Sequence, residues 1–168
     1  MKKINEEKLN KIGEYLRSNK LKLSLAESMP AGFFASIWSL QTEAGEYLEG
    51  SIVCFSEKVK THVLKVPKNL LDTYSAESME VTEAMLKSIM DTIPADIHIA
   101  ITGKAYDVKK TQKNHCETGD VFLSISNKGK IISKKYHFSE NNAADVFIRA
   151  FNASLDLLEL EFQLTAKS

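Results

Sequence analysis

Residues 21–40, LKLSLAESMPAGFFASIWSL, change their hydrophobic period halfway along. Between Leu21 and Ala26, apolar Leu21, Leu23 and Leu25 alternate with Lys22 and Ser24, the two-residue period of a strand. From Ala31 to Leu40 the apolar residues Phe33, Phe34, Ile37 and Trp38 fall at helical offsets, and Ser28 and Pro30 just before them are helix start signals. A strand that passes directly into a helix is the repeating step of α/β architectures.

The same alternation extends in both directions. Upstream, Ile4, Leu9, Ile12 and Leu16 recur at helical spacing in a charged background, which predicts an amphipathic helix over Ile4 to Ser18. Downstream, Gly50 to Phe55 reads as a strand followed by a helical stretch to Leu64. Pro67 breaks the chain, and Leu70 and Leu71 mark a short helical turn. Ser78 to Met90 carries Val81, Met85 and Ile89 at helical spacing and is closed by Pro94. Ile97 to Thr102 is almost continuously apolar, as a strand covered on both faces requires. After a polar stretch from Gly103 to Thr118, the strands Val121 to Ser126 and Ile131 to Phe138 flank the turn residues Asn127, Lys128, Gly129 and Lys130, and a hairpin is expected. Asn142 to Phe162 closes the pattern as a helix with Phe147, Phe151, Leu155, Leu158 and Phe162 on one face. The order of elements predicts an α/β fold, a three-layer α/β/α sandwich with a mixed β-sheet, formed as one domain over residues 1–168. Strand order is not legible from the pattern.

Composition bounds the function. The 168 residues are 43% hydrophobic, enough for one core, and 22 basic residues balance 22 acidic ones. A zero net charge argues against a dedicated nucleic-acid binder, and no apolar run is long enough to cross a bilayer, so no membrane association is expected. The first ten residues hold no apolar signal segment, and the expected location is the cytoplasm. Cys54 and Cys116 are expected to be free thiols in that setting. Arg17 and Arg149 are the only arginines, so an anion site would rest on lysines and backbone N–H groups.

Ser28 lies where a strand gives way to a helix, a position where backbone N–H groups and the positive helix end can stabilise an oxyanion. A serine there equally reads as an ordinary N-cap. Around it, Ala26-Glu27-Ser28 with its small-residue turn resembles the A-E-S-C-T-G-G motif of CinA C-terminal domains, the family of the bacterial nicotinamide mononucleotide (NMN) deamidases and competence/damage-inducible proteins. GSIVCFSEKVK at residues 50–60 is similar to that family's strand and Y-S-N-x-x-K segment. Val66-Pro67 with Leu70 resembles its V-P-x-x-L turn, the helix from Ser78 its V-S-x-x-V helix, and Ala100 to Gly103 its A-I-T-G.

The resemblance covers residues 5 to 160 and implies a CinA-like fold and a carboxamide hydrolase that needs no cofactor or metal. It implies Ser28 as the nucleophile and Lys60 as the base, with Glu27, Gly32, Phe55, Thr102, Gly103 and Arg149 around a small-molecule nucleotide. A lysine desolvated in a cleft loses proton affinity and can accept a serine proton. Glu27, beside Ser28, is the carboxylate expected to interfere if it paired with Lys60. The chain departs from the family pattern at Met29, Pro30 and Ala31, at Phe55 in place of tyrosine, and in the loop after Gly103, where glycines give way to Lys104, Lys109, Lys110 and Lys113. These departures keep a second reading open, a catalytically degraded relative that binds a nucleotide or a protein partner in the same cleft. The loop is expected to be solvated and loosely packed, with its lysines supplying a salt-sensitive attraction for phosphate. His115 and Cys116 lack two further ligands for zinc. A homo-oligomer is left open.

Overall fold

A computed structural model describes residues 2–106 and 116–164. In chain order the elements are α1 (Glu6–Ser18), β1 (Leu23–Glu27), α2 (Phe33–Ser39), β2 (Leu48–Val53), α3 (Glu57–His62), α4 (Lys68–Tyr74), α5 (Met79–Thr92), β3 (Ile97–Gly103), β4 (Asp120–Asn127), β5 (Lys130–His137) and α6 (Ala143–Glu161). A short 3-10 turn at Ala44–Glu46, which no periodicity announces, leads into β2. The five strands form one sheet in the order β2-β1-β3-β4-β5. β1 pairs in parallel with β2 and β3, and the β3–β4 and β4–β5 pairs are antiparallel, so the sheet is mixed.

Local chemistry accounts for most boundaries. Asn5, Ser56, Ser78 and Asn142 each cap a helix by accepting a backbone N–H with the side chain. β1 begins two residues later than alternation suggests because the Leu21 N–H donates to the Leu16 carbonyl at 2.8 Å. Lys20, at φ 55°, turns the chain there, so residues 19–21 close α1, and Lys22 O is the first group to accept from β3, at the Ile97 N–H. The hairpin turns at Lys128 and Gly129, both with positive φ. β5, an edge strand, carries Lys130, Lys134 and Lys135, charges that discourage pairing with another chain.

The sheet separates two apolar layers. Leu23, Leu25, Ile97, Ile99, Ile101, Val121, Leu123 and Ile125 face α1, α2 and α6 and pack with Ile12, Leu16, Trp38 and Phe151. Ala26 and Ala100 on the other face meet α3 to α5 through Leu64, Met85, Leu86 and Ile89. Strand periodicity therefore sends Glu27 toward the first layer and its neighbour Ser28 toward the second. On α6 and its C-cap, Phe151, Leu155, Leu158 and Phe162 are buried as the spacing predicts, while Phe147 is only partly covered and meets the Phe33 ring at a tilt of 51°, with ring centroids 5.9 Å apart.

His98 is 4% exposed, and neither ring nitrogen has a hydrogen-bond partner among the described residues. Burial lowers its proton affinity below the ordinary value of 6.5. The folded chain thus holds His98 neutral, while the unfolded chain takes up a proton as pH falls through that value. The stability this group preserves at neutral pH is lost on acidification. His98→Phe, which keeps the ring, should lose less stability than wild type between pH 7.5 and pH 5 in urea titrations. Parallel losses in the two proteins would count against it.

Candidate active site

Ser28 follows the last residue of β1 at the carboxyl edge of the sheet, and its N–H donates to Ile101 O of β3 at 3.0 Å, so the neighbouring strand fixes its backbone. The chain then turns through the cis Met29–Pro30 peptide and through Ala31 and Gly32, both with left-handed φ (59° and 97°), into α2. Gly32 is suited to that φ, and a Cβ there would also touch Val53 Cγ2 at 3.4 Å.

Lys60 comes from α3, directly after β2. Its Nζ donates to Ser28 Oγ at 2.8 Å, with Lys60 1% and Ser28 5% exposed. Burial pulls the lysine below its ordinary proton affinity. The carboxylates of Glu77 and Glu57 act in the opposite direction, and among the described residues no carboxylate lies at ion-pair distance from it. Burial also pushes the Cys54 thiol up to about 11, which keeps it protonated at neutral pH. The pair is therefore a hydroxyl hydrogen-bonded to an amine that gives up its proton more readily than an exposed lysine.

Glu27 does not pair with Lys60, and its carboxylate is taken up by other donors. It is fully buried beneath the start of α2, where its carboxylate accepts the N–H groups of Gly32 (3.1 Å), Phe34 (3.0 Å) and Ala35 (2.9 Å) and the Ser51 hydroxyl (3.0 Å). Burial pushes this carboxyl up, and the four donors oppose the shift. The capping role that serine could have played thus falls to Glu27, five residues before the Gly32 cap position.

A second consequence concerns the oxyanion. The Ala31 N–H donates to Ser28 O and the Phe33 N–H to Pro30 O, Pro30 has no N–H, and Glu27 takes three more donors. Of residues 28–35, Met29 keeps a backbone N–H outside these bonds, since Ser36 N bonds Gly32 O as α2 begins.

The Ser28 hydroxyl opens onto a cleft of about 220 Å³ lined also by Met29, Phe55, Glu77, Gly103, Lys104, Ala105 and Tyr106. Phe55 is 57% exposed at its rim. Gly103 is required by packing, because a Cβ would stand 2.4 Å from Asp120 O and 3.1 Å from Met29 Cε. Thr102, expected at the ligand, is buried and donates to Ala76 O at 3.3 Å, so it holds the segment before α5 in place. Arg149, also expected there, lies over the Phe138 ring at 5.2 Å with Nε 3.5 Å from Glu140, and it does not line the cleft. Gly32 shapes the turn and is likewise not part of the lining. Glu77 was not anticipated. Its signal was its place just before the Ser78 cap of α5, which brings it to the same sheet edge as Ser28. Lys109, Lys110, Lys113 and His115 lie outside the described residues, so the expectations for that stretch of the loop do too. Cys54 and Cys116 are both free and buried, and no metal-holding group of His, Cys, Asp and Glu occurs among the described residues. No helix among them is long and apolar enough to cross a membrane.

A mixed five-stranded sheet between two helical layers, with a serine and a buried lysine joined at its carboxyl edge, is the frame in which comparison with known proteins becomes informative. The CinA C-terminal domain model matches residues 5–162, and the chain belongs to that family. A putative competence-damage inducible protein of Bacillus subtilis is 34% identical over 117 residues, which are 70% of this chain and 27% of that protein. A CinA-like protein of Flavobacterium psychrophilum is 29% identical over 150 residues, 89% of this chain and 35% of the relative. The chain therefore matches only about a third of the length of these curated relatives. Among solved structures, a competence or damage-inducible protein from Enterobacter asburiae superposes with a TM-score of 0.86 at 27% identity, covering 95% of this chain and 99% of that one. The competence damage-inducible protein A from Klebsiella pneumoniae gives 0.88 at 23% identity, over 98% and 100% of the two chains.

Proposed function

We propose that this domain is an amidohydrolase of the NMN deamidase type, with Ser28 as nucleophile and Lys60 as base. The observation that carries the reading is the 2.8 Å bond from a desolvated amine to a hydroxyl at the floor of an open cleft. In the mechanism, neutral Lys60 accepts the Ser28 proton while Oγ attacks the carboxamide carbon. The developing oxyanion faces few backbone donors, with Met29 N–H the one left over near Ser28. The resulting ammonium then gives its proton to the departing nitrogen, ammonia leaves, and an ester to Ser28 remains. Water attacks the ester, with Lys60 again taking the proton, to give the carboxylate product and restore the hydroxyl. Phe55 and Tyr106 offer faces for a heteroaromatic ring, and Lys104 places a cation in the same lining for a phosphate. Neither a metal nor a cofactor enters any step.

The use of the α2 N–H groups by Glu27 favours one alternative, a relative that retains ligand binding in the cleft while hydrolysing little. Ammonia release from NMN by purified protein separates the two. The amidase reading expects turnover that falls at least about a thousandfold in Ser28→Ala, with NMN still bound by the variant. Binding without ammonia release in wild type would select the alternative, and neither binding nor turnover would reject both.

A further inference from the structure

We propose that the cavity between α1 and the turn after α2 is a second binding site, for a neutral polyhydroxylated ligand the size of one sugar ring. It lies at the other end of β1 from Ser28. The Leu23 N–H, at the start of β1, donates to Tyr47 O at 2.7 Å, and Tyr47 leads from the 3-10 turn into β2. The cavity holds about 200 Å³, and Tyr47 and Gly13 of α1 belong to its lining. Drug-sized molecules take about 300 Å³ or more, so a smaller ligand is required. Tyr47 is 1% exposed, and its hydroxyl has no hydrogen-bond partner among the described residues. Burial holds the phenol up at about 12, which keeps it a donor at neutral pH. Gly13 stands inside a helix, where glycine is unfavourable, and a Cβ there would come 3.3 Å from that hydroxyl and 2.6 Å from Gln41 Oε1. The half-buried Gln41 side chain thus lies against the same point of α1, and its turn toward solvent opens the hydroxyl to a ligand.

The rest of the lining sets the chemistry of the ligand. Arg17 is held by Glu14, which accepts from Nε at 3.2 Å and from Nη2 at 2.5 Å, and by Glu43, which accepts from Nη1 at 2.7 Å. Two carboxylates around one guanidinium leave no surplus positive charge, which disfavours phosphates and carboxylates. Among the described residues of the lining, buried Tyr47 is the only aromatic one, so a flat apolar ring gains little. What remains is a mixture of donors and acceptors. The Arg17 fork keeps N–H groups outside its ion pairs. Asn10 accepts from Gln41 Nε2 at 2.6 Å and keeps its own amide N–H groups, while Gln41 Oε1 and the second Glu43 oxygen are left to accept. Each hydroxyl of a polyol both donates and accepts, so a ring of hydroxyls can engage this lining with the innermost one on Tyr47. An ammonium group would use the acceptors and leave the donors unpaired.

Trp38 reports on the site. It is the only tryptophan of the chain, and its ring meets that of Tyr47 edgewise with centroids 6.0 Å apart. The isotope-labelled chain is titrated with myo-inositol, inositol monophosphate and ethanolamine while the Trp38 indole N–H signal is followed by NMR. Myo-inositol should move that signal saturably, with a dissociation constant of about 1 mM, and the phosphate and the amine should bind at least about tenfold more weakly. Tyr47→Phe should weaken inositol binding about fivefold, and Gly13→Ala, which fills the floor, should abolish it. Because the hydroxyl has no partner in the free chain, Tyr47→Phe should melt no lower than wild type in buffer alone. Inositol should then raise the melting temperature of wild type more than that of the variant. No saturable shift, or tighter binding of the phosphate or the amine, would overturn the proposal. So would equal responses of wild type and Tyr47→Phe, the pattern that general exclusion of polyols from protein surfaces produces. A Tyr47→Phe variant melting well below wild type in buffer would show a hydroxyl already satisfied without ligand, and would overturn it too.

Discussion

Replacing Lys60 by methionine is expected to reduce ammonia release from NMN by about three orders of magnitude, because the Ser28 hydroxyl then has no base within reach. The substitution suits the site. Methionine is similar in length to the lysine side chain, and the position is 1% exposed, so the fold should survive and the loss should fall on turnover. In wild type the reactive form is the neutral amine, so activity should rise with pH as Lys60 deprotonates. Burial displaces that limb below the ordinary lysine value of 10.5. The same shift appears in stability. Lys60 has a lower proton affinity in the folded chain than in the unfolded one, so its contribution is fully present above 10.5 and is lost as pH falls through its folded-state value. Near neutral pH, Lys60→Met should therefore be at least as stable as wild type in urea, and the difference should shrink on moving to alkaline conditions. A variant that keeps more than a tenth of wild-type turnover would rule out Lys60 as the base. A substantial loss of stability at neutral pH would show that the amine contributes more through its bond to Ser28 than its desolvation costs.

Glu27→Leu should produce the largest stability loss of any single change near the site, about 3 kcal/mol or more. Leucine is close to glutamate in size, but it removes the acceptor shared by the Gly32, Phe34 and Ala35 N–H groups and the Ser51 hydroxyl. Those donors would remain at the mouth of α2 with no acceptor in place, and α2 contributes Phe34 and Trp38 to the core. Activity should fall as well, since Ser28 is the adjacent residue and its position depends on the turn that Glu27 ties down. Glu27→Gln, which retains one acceptor oxygen, should be intermediate. Urea midpoints for the two variants check this ordering, and a leucine variant within 0.5 kcal/mol of wild type would show that α2 is held mainly by its apolar face.

The reading of Glu27 shows where sequence logic stops. Its position next to Ser28 suggested contact with ligand or with Lys60, yet adjacent residues on a strand point to opposite faces. That alternation is visible in residues 21–28. What the sequence lacked was the knowledge that α2 returns over the face Glu27 enters and presents its N–H groups there, while α3 covers the other. Thr102 shows a similar displacement. It stands where a motif suggested ligand contact, but its hydroxyl turns to Ala76 O and serves the next segment. Arg149 is drawn to Glu140 and the Phe138 ring, partners nine and eleven residues away along the chain.

By itself, the sequence determined the strands and α-helices and their order, the placing of Ser28 at a strand-to-helix junction, and the family resemblance that paired it with Lys60. Each of these rests on local periodicity, cap residues and short motifs, whose physics acts within a few residues. Tertiary structure alone decided the sheet order β2-β1-β3-β4-β5, the 2.8 Å approach of two side chains 32 residues apart, the inward turn of Glu27 and the arrival of Glu77 in the cleft. The physical reason is the same in each case. Burial, desolvation and hydrogen-bond partners are set by which distant segments pack together, and a lysine carries no mark in its own neighbourhood of whether it will face water or a serine.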